Sequence, residues 1–258
     1  MVERYKRGKG SKALLGSHQK CWIWGRNLVL ETLAAGRWTM AELLLADRLP
    51  ADASSAVAAR AAELGIPVRT VPAETLEKLG HTGEHQGYMA RMGEFPYAPF
   101  DGLSSGQSPA FFVLLDGIQD PYNLGAVLRS AEVFGADGAI LQATGQVGVT
   151  SMVARSSAGA VNRIPIARVE SLAAAAGSLA SRGIALVGAS EKADREVAAC
   201  DLRRPVCIAV GNEGTGLSPA ILSCCSEQVR IPQFGRVGSL NAAVAAGIFF
   251  YELRRQRA

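Results

Sequence analysis

The sequence lacks the patterns that mark membrane and secreted proteins. Among its 258 residues no apolar run reaches the length of a membrane span, since the longest, residues 242–251, is about half of one. The opening stretch MVERYKRGKGSKALLG is basic and carries no apolar signal core. We therefore expect a cytoplasmic protein with no membrane partner.

Metal-site patterns are missing as well. The five cysteines form no C-x-x-C pair and have no histidine companion at metal-ligand spacing; they are Cys21, Cys200, Cys207, Cys224 and Cys225. We expect no metal, and we expect the cysteines to be small buried side chains in a reducing compartment. The adjacent pair Cys224–Cys225 leaves a redox role open.

Charge is modest overall but unevenly placed. A net charge of +4, with 48% hydrophobic and 19% charged residues, is ordinary for a globular chain of one or two domains. Residues 1–20, however, hold six lysines or arginines and only one acidic residue. Two interpretations stay open, a solvated disordered tail and a flexible arm that binds phosphates.

Residues 205–251 form the most informative stretch. The pattern predicts a buried strand over 206–210, a glycine-rich loop over 211–216, a short helix from Ser218, a strand ending at Ile231–Pro232, and a helix opening at 239–241. The loop is not a phosphate loop, which needs Lys followed by Ser or Thr, nor a dinucleotide fingerprint, because its order is G-x-x-G-x-G. The loop is either a plain turn or a segment whose backbone closely approaches a ligand at the strand ends.

Three segments together resemble the motifs of the SpoU (TrmH-like) family of ribose 2'-O-methyltransferases. They are LDGIQDPYNLGAVLRSAEVFGA at 115–136, GNEGTGL at 211–217 and IPQFGRVGSLNAAVA at 231–245. All three occur in the order and at the spacing of that family. The resemblance covers roughly residues 110 to 258.

The expected fold class follows from pattern and resemblance together. Strands and helices alternate from residue 110 onward, which predicts an α/β domain with a mostly parallel sheet and helices on both faces. The resemblance adds a SPOUT-type topology, in which the C-terminal segment threads a loop and forms a deep trefoil knot. We therefore expect a knotted methyltransferase domain over 110–258.

The chain before residue 110 is expected to form three segments. Residues 1–20 are a basic disordered tail, and residues 21–95 are a small α/β unit that resembles the ribosomal-protein-like substrate-binding domain of many family members. Residues 96–109 mix Pro, Gly and Ser and predict a linker. We also expect a first helix capped near Asn27 and ended at Gly36, and a small polar loop ending in residues 154–159.

The resemblance implies S-adenosylmethionine as cofactor, held in the knot chiefly by backbone groups of Gly211, Ile231 and Leu240. Fixed N–H and C=O groups can satisfy an adenine edge and a ribose, while the apolar side chains of Ile231 and Leu240 exclude water around the ring. The implied reaction transfers the methyl group to a ribose 2'-hydroxyl in RNA. A poor nucleophile of this kind must be placed in line with the methyl and relieved of its proton.

The same resemblance implies the catalytic residues Asn123, Arg129, Glu213, Ser239 and Asn241. The family proposal makes the arginine the base, whereas arginine side chains stay protonated in proteins. We prefer a role in which Arg129 grips an RNA phosphate and stabilises developing alkoxide charge, while Glu213 orients it or relays the proton. Ser239 and Asn241 are also candidates for a helix cap.

The RNA substrate is predicted from one tripeptide. His85-Gln86-Gly87 is similar to an H-Q-G signature of the branch that methylates a guanosine of large-subunit (23S) rRNA, or it is simply a turn before a strand. The alternatives are a tRNA ribose 2'-O-methyltransferase and an RNA-binding module without catalysis. The tRNA branch usually lacks the N-terminal unit, and none of the motif residues is missing here.

Two surface features remain open. Leu240, Val244, Ile248 and Tyr251 recur at helical spacing, so the stripe packs in the core of one subunit or pairs two subunits as the homodimer that the family implies. Gln233-Phe234 replaces the usual small pair after Ile231-Pro232. Phe234 therefore packs among apolar side chains, reshapes the cofactor pocket or stacks on a base.

Overall fold

The computed structural model describes residues 21–104, 106 and 109–258. The predicted basic tail, residues 1–20, lies outside these described residues. The chain divides into two compact units, Met1–Pro96 and Tyr97–Ala258. No helix in the described ranges is both long and apolar enough to cross a membrane.

Over its described residues, from Cys21 onward, the first unit is a four-stranded sheet with three α-helices. Its strands are β1 (Trp22–Trp24), β2 (Met40–Ala46), β3 (Val68–Val71) and β4 (Tyr88–Met92), and its helices are α1 (Arg26–Ala35), α2 (Ala51–Glu63) and α3 (Ala73–Gly80). The strand order is β1-β4-β2-β3, with β2 and β3 parallel and β4 antiparallel to both neighbours. Buried Trp22, Leu44, Leu76 and Met89 belong to its core.

Helix α1 begins one residue earlier than its predicted cap. Its N-cap is Gly25, whose φ of 95° suits glycine. Glycine has no side chain that could accept a hydrogen bond from the first turn of the helix. The prediction of a cap near Asn27 is therefore wrong. The predicted end is correct, because Gly36 is left-handed and donates its N–H to the carbonyl of Thr32.

The second unit is built on a six-stranded, wholly parallel sheet. Its strands are β5 (Phe111–Asp116), β6 (Gly138–Gln142), β7 (Ile166–Val169), β8 (Ala185–Ala189), β9 (Val206–Gly211) and β10 (Glu227–Val229), in the order β10-β8-β9-β5-β6-β7. Five helices flank it: α4 (Pro121–Val133), α5 (Ser151–Ser156), α6 (Leu172–Ser181), α7 (Pro219–Cys224) and α8 (Ala242–Arg257). The predicted α/β class with a parallel sheet is confirmed.

The centre of this sheet explains its continuous apolar pattern. Every residue of β5 and β9 is buried, as parallel strands covered on both faces must be. The one carboxylate among them, Asp116, accepts a 2.7 Å hydrogen bond from the backbone N–H of Ser218, which ties the end of β5 to the start of α7. The carboxyl ends of β5 and β9 therefore lie side by side, with Asp116 opposite Gly211.

Helix α4 packs closely on α5. Its predicted stripe of Leu124, Leu128 and Ala131 is fully buried. A Cβ on Gly125 would lie 1.8 Å from Oγ of Ser156, so only glycine permits this approach. The prediction that the segment ending in 154–159 is all loop is wrong, because Thr150 caps a helix whose last turn supplies that contact.

The segment predicted as a linker, 96–109, contacts the second unit through its described residues. The N–H of Ala98 donates to the carbonyl of Ile166 at 2.8 Å, and the Tyr97 hydroxyl accepts from the N–H of Val149 at 2.8 Å. Leu103 is 2% exposed, and its carbonyl accepts from the Arg182 guanidinium. These contacts explain why the division between the units falls at 96/97.

Candidate active site

One pocket opens at the carboxyl end of the parallel sheet. Its wall comes from the ends of β8 and β9, the loop after β9, the segment after β10 and the first turns of α8. Among the lining residues are Gly211, Glu213, Ile231, Ser239 and Leu240, which are five of the eight residues predicted for the site. Ligand clefts of α/β sheets form at this edge.

The glycine-rich loop closes on itself at the base of the pocket. The backbones of Asn212 and Gly216 exchange two hydrogen bonds, of 3.0 and 2.9 Å, and Gly216 has a φ of 71°. A Cβ on Gly211 would lie 2.2 Å from the carbonyl carbon of Gly216. Glycine at both positions is therefore a steric requirement of this turn. Glu213, one of three exposed residues between them, lines the pocket at its rim.

Asn212 organises the loop through its side chain, a role that the sequence reasoning missed. Its Oδ1 accepts from the N–H groups of Gly214 at 2.8 Å and Thr215 at 3.2 Å. Its Nδ2 donates to the carbonyl of Gly117, after β5, at 2.8 Å. The sequence offered one signal for this role, the general preference of asparagine for turns. There its side chain hydrogen-bonds to the backbone two residues further along the chain.

Three predicted catalytic residues form one hydrogen-bonded chain. Asn241 caps α8, because its Oδ1 accepts from the N–H groups of Ala243 and Val244. Its Nδ2 is thereby free to donate to Oδ1 of Asn123 at 2.9 Å, and Nδ2 of Asn123 donates to Oε1 of Glu213 at 2.7 Å. The cap fixes the orientation of both amide side chains. Nδ2 of Asn123, the last donor of the chain, then holds the carboxylate of Glu213.

Of the two residues proposed as caps, Asn241 is the one that caps α8. Ser239 lies two residues before it, exposed on the pocket wall. The strand before this segment also ends early, at Val229 and not at Ile231–Pro232 as predicted. The backbone of Arg230 instead bonds to Arg195 and Val197, and a proline offers no N–H for a sheet ladder.

The wall of the pocket suits an adenosyl cofactor. Ile231, Leu240 and buried Phe249 provide an apolar surface. Gly211 has no side chain, so a ligand can approach its backbone closely. The carboxylates of Glu191 and Glu213 line the same pocket as the guanidinium of Arg230. Carboxylates suit a sulfonium cation, and a guanidinium suits an amino-acid carboxylate. S-adenosylmethionine, when bound, supplies an electrophilic methyl group.

Arg129 stands apart from this group. It is exposed on α4, it does not line the pocket, and within the described part of the chain no hydrogen bond or ion pair of Arg129 is found. Exposed Tyr122 and Val133 lie on the same helical face, seven residues before and four residues after it. The fold therefore brings Asn123, Glu213, Ser239 and Asn241 to one rim and leaves Arg129 outside.

The cysteines lie away from this chemistry. Burial, helped by the nearby carboxylate of Glu227, raises the pKa of the Cys200 thiol to about 11. Burial, with smaller contributions from Cys224 and Asp116, raises the pKa of Cys225 to about 11 as well. Both thiols are protonated at neutral pH. Cys21, Cys200 and Cys207 are buried as predicted, whereas Cys224 and Cys225 are only half-buried. Among the described residues no group of three His, Cys, Asp or Glu side chains is placed to hold a metal.

The tripeptide His85-Gln86-Gly87 forms a turn in the first unit. His85 is 1% exposed, and its Nδ1 accepts from the N–H of Gly87 at 3.0 Å. Burial lowers the pKa of His85, with Glu77 opposing the shift. Oε1 of Gln86 accepts from the N–H of Arg26 at 2.9 Å and so satisfies the start of α1. These contacts give the tripeptide a structural role.

The parallel α/β sheet carries, at the carboxyl ends of its strands, a pocket whose lining suits an adenosyl cofactor. Residues 110–251 match the SpoU rRNA Methylase family, and residues 22–98 match a domain described as RNA 2'-O ribose methyltransferase substrate binding. The chain belongs to the SpoU family. It is an S-adenosylmethionine-dependent RNA 2'-O-ribose methyltransferase.

Similar proteins match over nearly the whole chain. YacO of Bacillus subtilis, named a TrmH family tRNA/rRNA methyltransferase, is 35% identical over 93% of this chain and 98% of its own length. The AdoMet-bound rRNA methyltransferase of Sinorhizobium meliloti aligns with a TM-score of 0.79 at 27% identity, covering 93% of this chain and 88% of that one. AviRb of Streptomyces viridochromogenes, solved with AdoMet, aligns with a TM-score of 0.78 at 28% identity, covering 93% and 91%.

Proposed function

We propose that this enzyme methylates the ribose 2'-hydroxyl of a guanosine in 23S rRNA. The observation that carries the chemistry is the hydrogen-bonded chain Asn241–Asn123–Glu213 at the rim of the cofactor pocket. Support for rRNA comes from the substrate-binding unit and from the similarity to the Sinorhizobium rRNA methyltransferase over both units. The cytoplasm is the proposed location.

Each site residue has a proposed role. Gly211, Ile231 and Leu240 hold the cofactor, because they combine open backbone with apolar walls. Glu213 takes or relays the proton of the acceptor hydroxyl, since Asn123 orients its carboxylate and leaves the second oxygen available. Ser239, exposed on the same wall, hydrogen-bonds the acceptor ribose.

Arg129 requires a second subunit in this proposal. Helices α4 and α8 pack together, with the rings of Phe134 and Tyr251 6.5 Å apart. Their outer surface, here called the apolar face, consists of large side chains that stay exposed: Tyr122, Val133, Val244, Ile248 and Tyr251. Leu240 of the predicted stripe precedes α8 and lies on the pocket wall instead. With Val244 52% exposed, core packing within one chain does not account for the stripe. A homodimer buries this face, and Arg129 lies within it.

The arginine then acts in the site of the partner subunit. It stays protonated, grips a phosphate of the RNA and stabilises negative charge developing on the ribose oxygen. The proposal also includes a trefoil knot formed by the C-terminal segment around the pocket. Its segments are a methyltransferase domain over 110–258, a substrate-binding domain over 21–95, a linker over 96–109 and a basic tail over 1–20.

The substrate is tested by transfer of labelled methyl from S-adenosylmethionine to three unmodified RNAs: 23S rRNA, 16S rRNA and bulk tRNA. We expect label on 23S rRNA alone, at a single guanosine. Label on tRNA alone would establish the tRNA enzyme instead. The absence of label on any RNA, with cofactor binding intact by calorimetry, would leave only an RNA-binding module.

A further inference from the structure

The loop between Pro232 and Asn241 carries an aromatic side chain in an unusual position. Phe234 is 97% exposed, the highest value among the exposed large hydrophobic residues of the described chain. Scattered exposed apolar side chains are normal on a protein surface. This one belongs to the loop that gives Gln233, Ser239 and Leu240 to the wall of the cofactor pocket. Packing among apolar side chains is therefore not its role.

The reaction places a nucleobase close to this loop. The acceptor oxygen has to meet the methyl group at the mouth of the pocket, and the acceptor base is attached to the carbon next to the one that bears this oxygen. The base of the acceptor nucleotide therefore lies within a few bonds of the reacting atom. The residues nearest the mouth of the pocket are therefore within contact range of this base.

Single-stranded RNA is recognised largely through such bases. Unstacked bases are splayed out and stacked on Phe, Tyr, Trp or His, which replaces the stacking lost from the RNA. The neighbours of Phe234 suit this task. Arg236 is exposed two residues further on and offers charge for a phosphate. A Cβ at Gly235 or Gly238 would meet nothing within 4 Å, so the loop has open space around it.

We propose that Phe234 is the platform on which the base of the acceptor nucleotide stacks. It is a binding residue for the RNA substrate, separate from cofactor binding and proton transfer. The inference rests on the proposed function, because it takes the acceptor ribose to lie at this pocket. The competing occupant of the exposed ring is a second copy of this chain.

The first test compares Phe234→Ala with the matched control Val237→Ala. Val237 is 80% exposed in the same loop but is not aromatic. We expect Phe234→Ala to raise KM for RNA by roughly 5- to 150-fold, the range for loss of one base stack, with kcat and KM for S-adenosylmethionine little changed. Phe234→Tyr is expected to restore KM for RNA, and Val237→Ala is expected to leave it unchanged. An unchanged KM in Phe234→Ala overturns the proposal.

The second test asks whether the base is the partner of the ring. An RNA fragment that the wild-type enzyme methylates is prepared with an abasic acceptor nucleotide, which keeps the ribose and its 2'-hydroxyl. We expect the abasic change to weaken binding to the wild-type enzyme but not to Phe234→Ala, because the contact is already lost there. If the losses in RNA binding caused by the abasic change and by Phe234→Ala simply add, the proposal is overturned.

Two further outcomes separate the possible failures. Sedimentation that shows Phe234→Ala as monomer where the wild type is dimer would assign the ring to a second copy and overturn the base-stacking role. Failure of the wild-type enzyme to methylate any RNA would overturn the proposed function and this inference together. Normal wild-type activity with a normal Phe234→Ala variant overturns the inference alone.

Discussion

Asn123 and Glu213 are 90 residues apart in the chain and are joined by a 2.7 Å hydrogen bond from amide to carboxylate. The amide cannot turn to present its oxygen, because that oxygen accepts from Asn241, whose own oxygen caps α8. A helix cap thus sets the orientation of a carboxylate at the mouth of the cofactor pocket.

Asn123→Asp should lower kcat with little effect on cofactor binding. An aspartate can still accept from Asn241, but it has no proton to donate and it places one carboxylate against another. We expect kcat to fall about 100-fold, the scale of a misplaced catalytic group, with an unchanged dissociation constant for S-adenosylmethionine by calorimetry. A variant with wild-type kcat would show that the orientation of Glu213 is irrelevant.

Asn212→Ala should loosen the cofactor site. The substitution removes the side-chain bonds to Gly214, Thr215 and Gly117, and a hydrogen bond is worth about 1 kcal/mol net. We expect the free energy of unfolding to fall by about 2 kcal/mol and the affinity for S-adenosylmethionine to fall with it. Urea unfolding and calorimetry measure both. Thr215→Val is the control, since it removes only a 3.4 Å contact.

Gly125→Ala should destabilise the second unit. The new Cβ would lie 1.8 Å from Oγ of Ser156 and 2.8 Å from the carbonyl oxygen of Val153, so α4 and α5 have to separate. Overpacking of this kind costs about 1–3 kcal/mol in urea unfolding. Gly177→Ala in α6, where a Cβ meets nothing within 4 Å, should be neutral or slightly stabilising. Equal effects at the two positions would contradict the close packing of α4 on α5.

Subunit mixing tests whether Arg129 acts across a dimer. Arg129→Ala and Glu213→Gln should each be nearly inactive, but a mixed dimer has one site with both residues intact. Random pairing should therefore restore about a quarter of wild-type activity, because half the dimers are mixed and each has one working site. Activity that stays at the level of the separate variants would place Arg129 in the site of its own chain.

The buried thiols predict a loss of stability at alkaline pH. An unfolded cysteine ionises with a pKa near 9.0, whereas burial holds Cys200 and Cys225 at about 11. Their contribution to stability is complete below pH 9 and is lost as pH rises toward 11, since the unfolded state releases the protons first. Urea unfolding between pH 8 and about 10.5 measures this slope. Cys200→Ala and Cys225→Ala should each reduce it.

Sequence patterns predicted the parts of the molecule that depend on local residue type. The apolar runs of β5 and β9 predicted buried parallel strands, and the second and third motifs predicted Gly211, Glu213 and Leu240 on one pocket. Helix α5 escaped prediction because it is six residues long, and the glycine that it packs against is about thirty residues away.

Side-chain polarity at the site was also beyond the sequence. Both Ser239 and Asn241 suited a helix cap by residue type, and only the fold distinguishes them, because Oδ1 of Asn241 accepts from the first-turn N–H groups of α8. The Nδ2 of the same residue reaches Asn123 from 118 residues away. The position of Arg129 outside the pocket is likewise decided by the fold and could not be predicted from its motif. Motif spacing carries no information on which face of a helix points toward the pocket.

The most direct test of the central claim is the chemical position of the methyl group. Labelled 23S rRNA from the reaction is hydrolysed in alkali, which cleaves only next to a free 2'-hydroxyl, and the products are separated by mass. We predict label in an alkali-resistant dinucleotide that carries 2'-O-methylguanosine, absent from the Glu213→Gln reaction. Label recovered in mononucleotides would mean that the methyl group sits on a base, and would contradict ribose methylation by this enzyme.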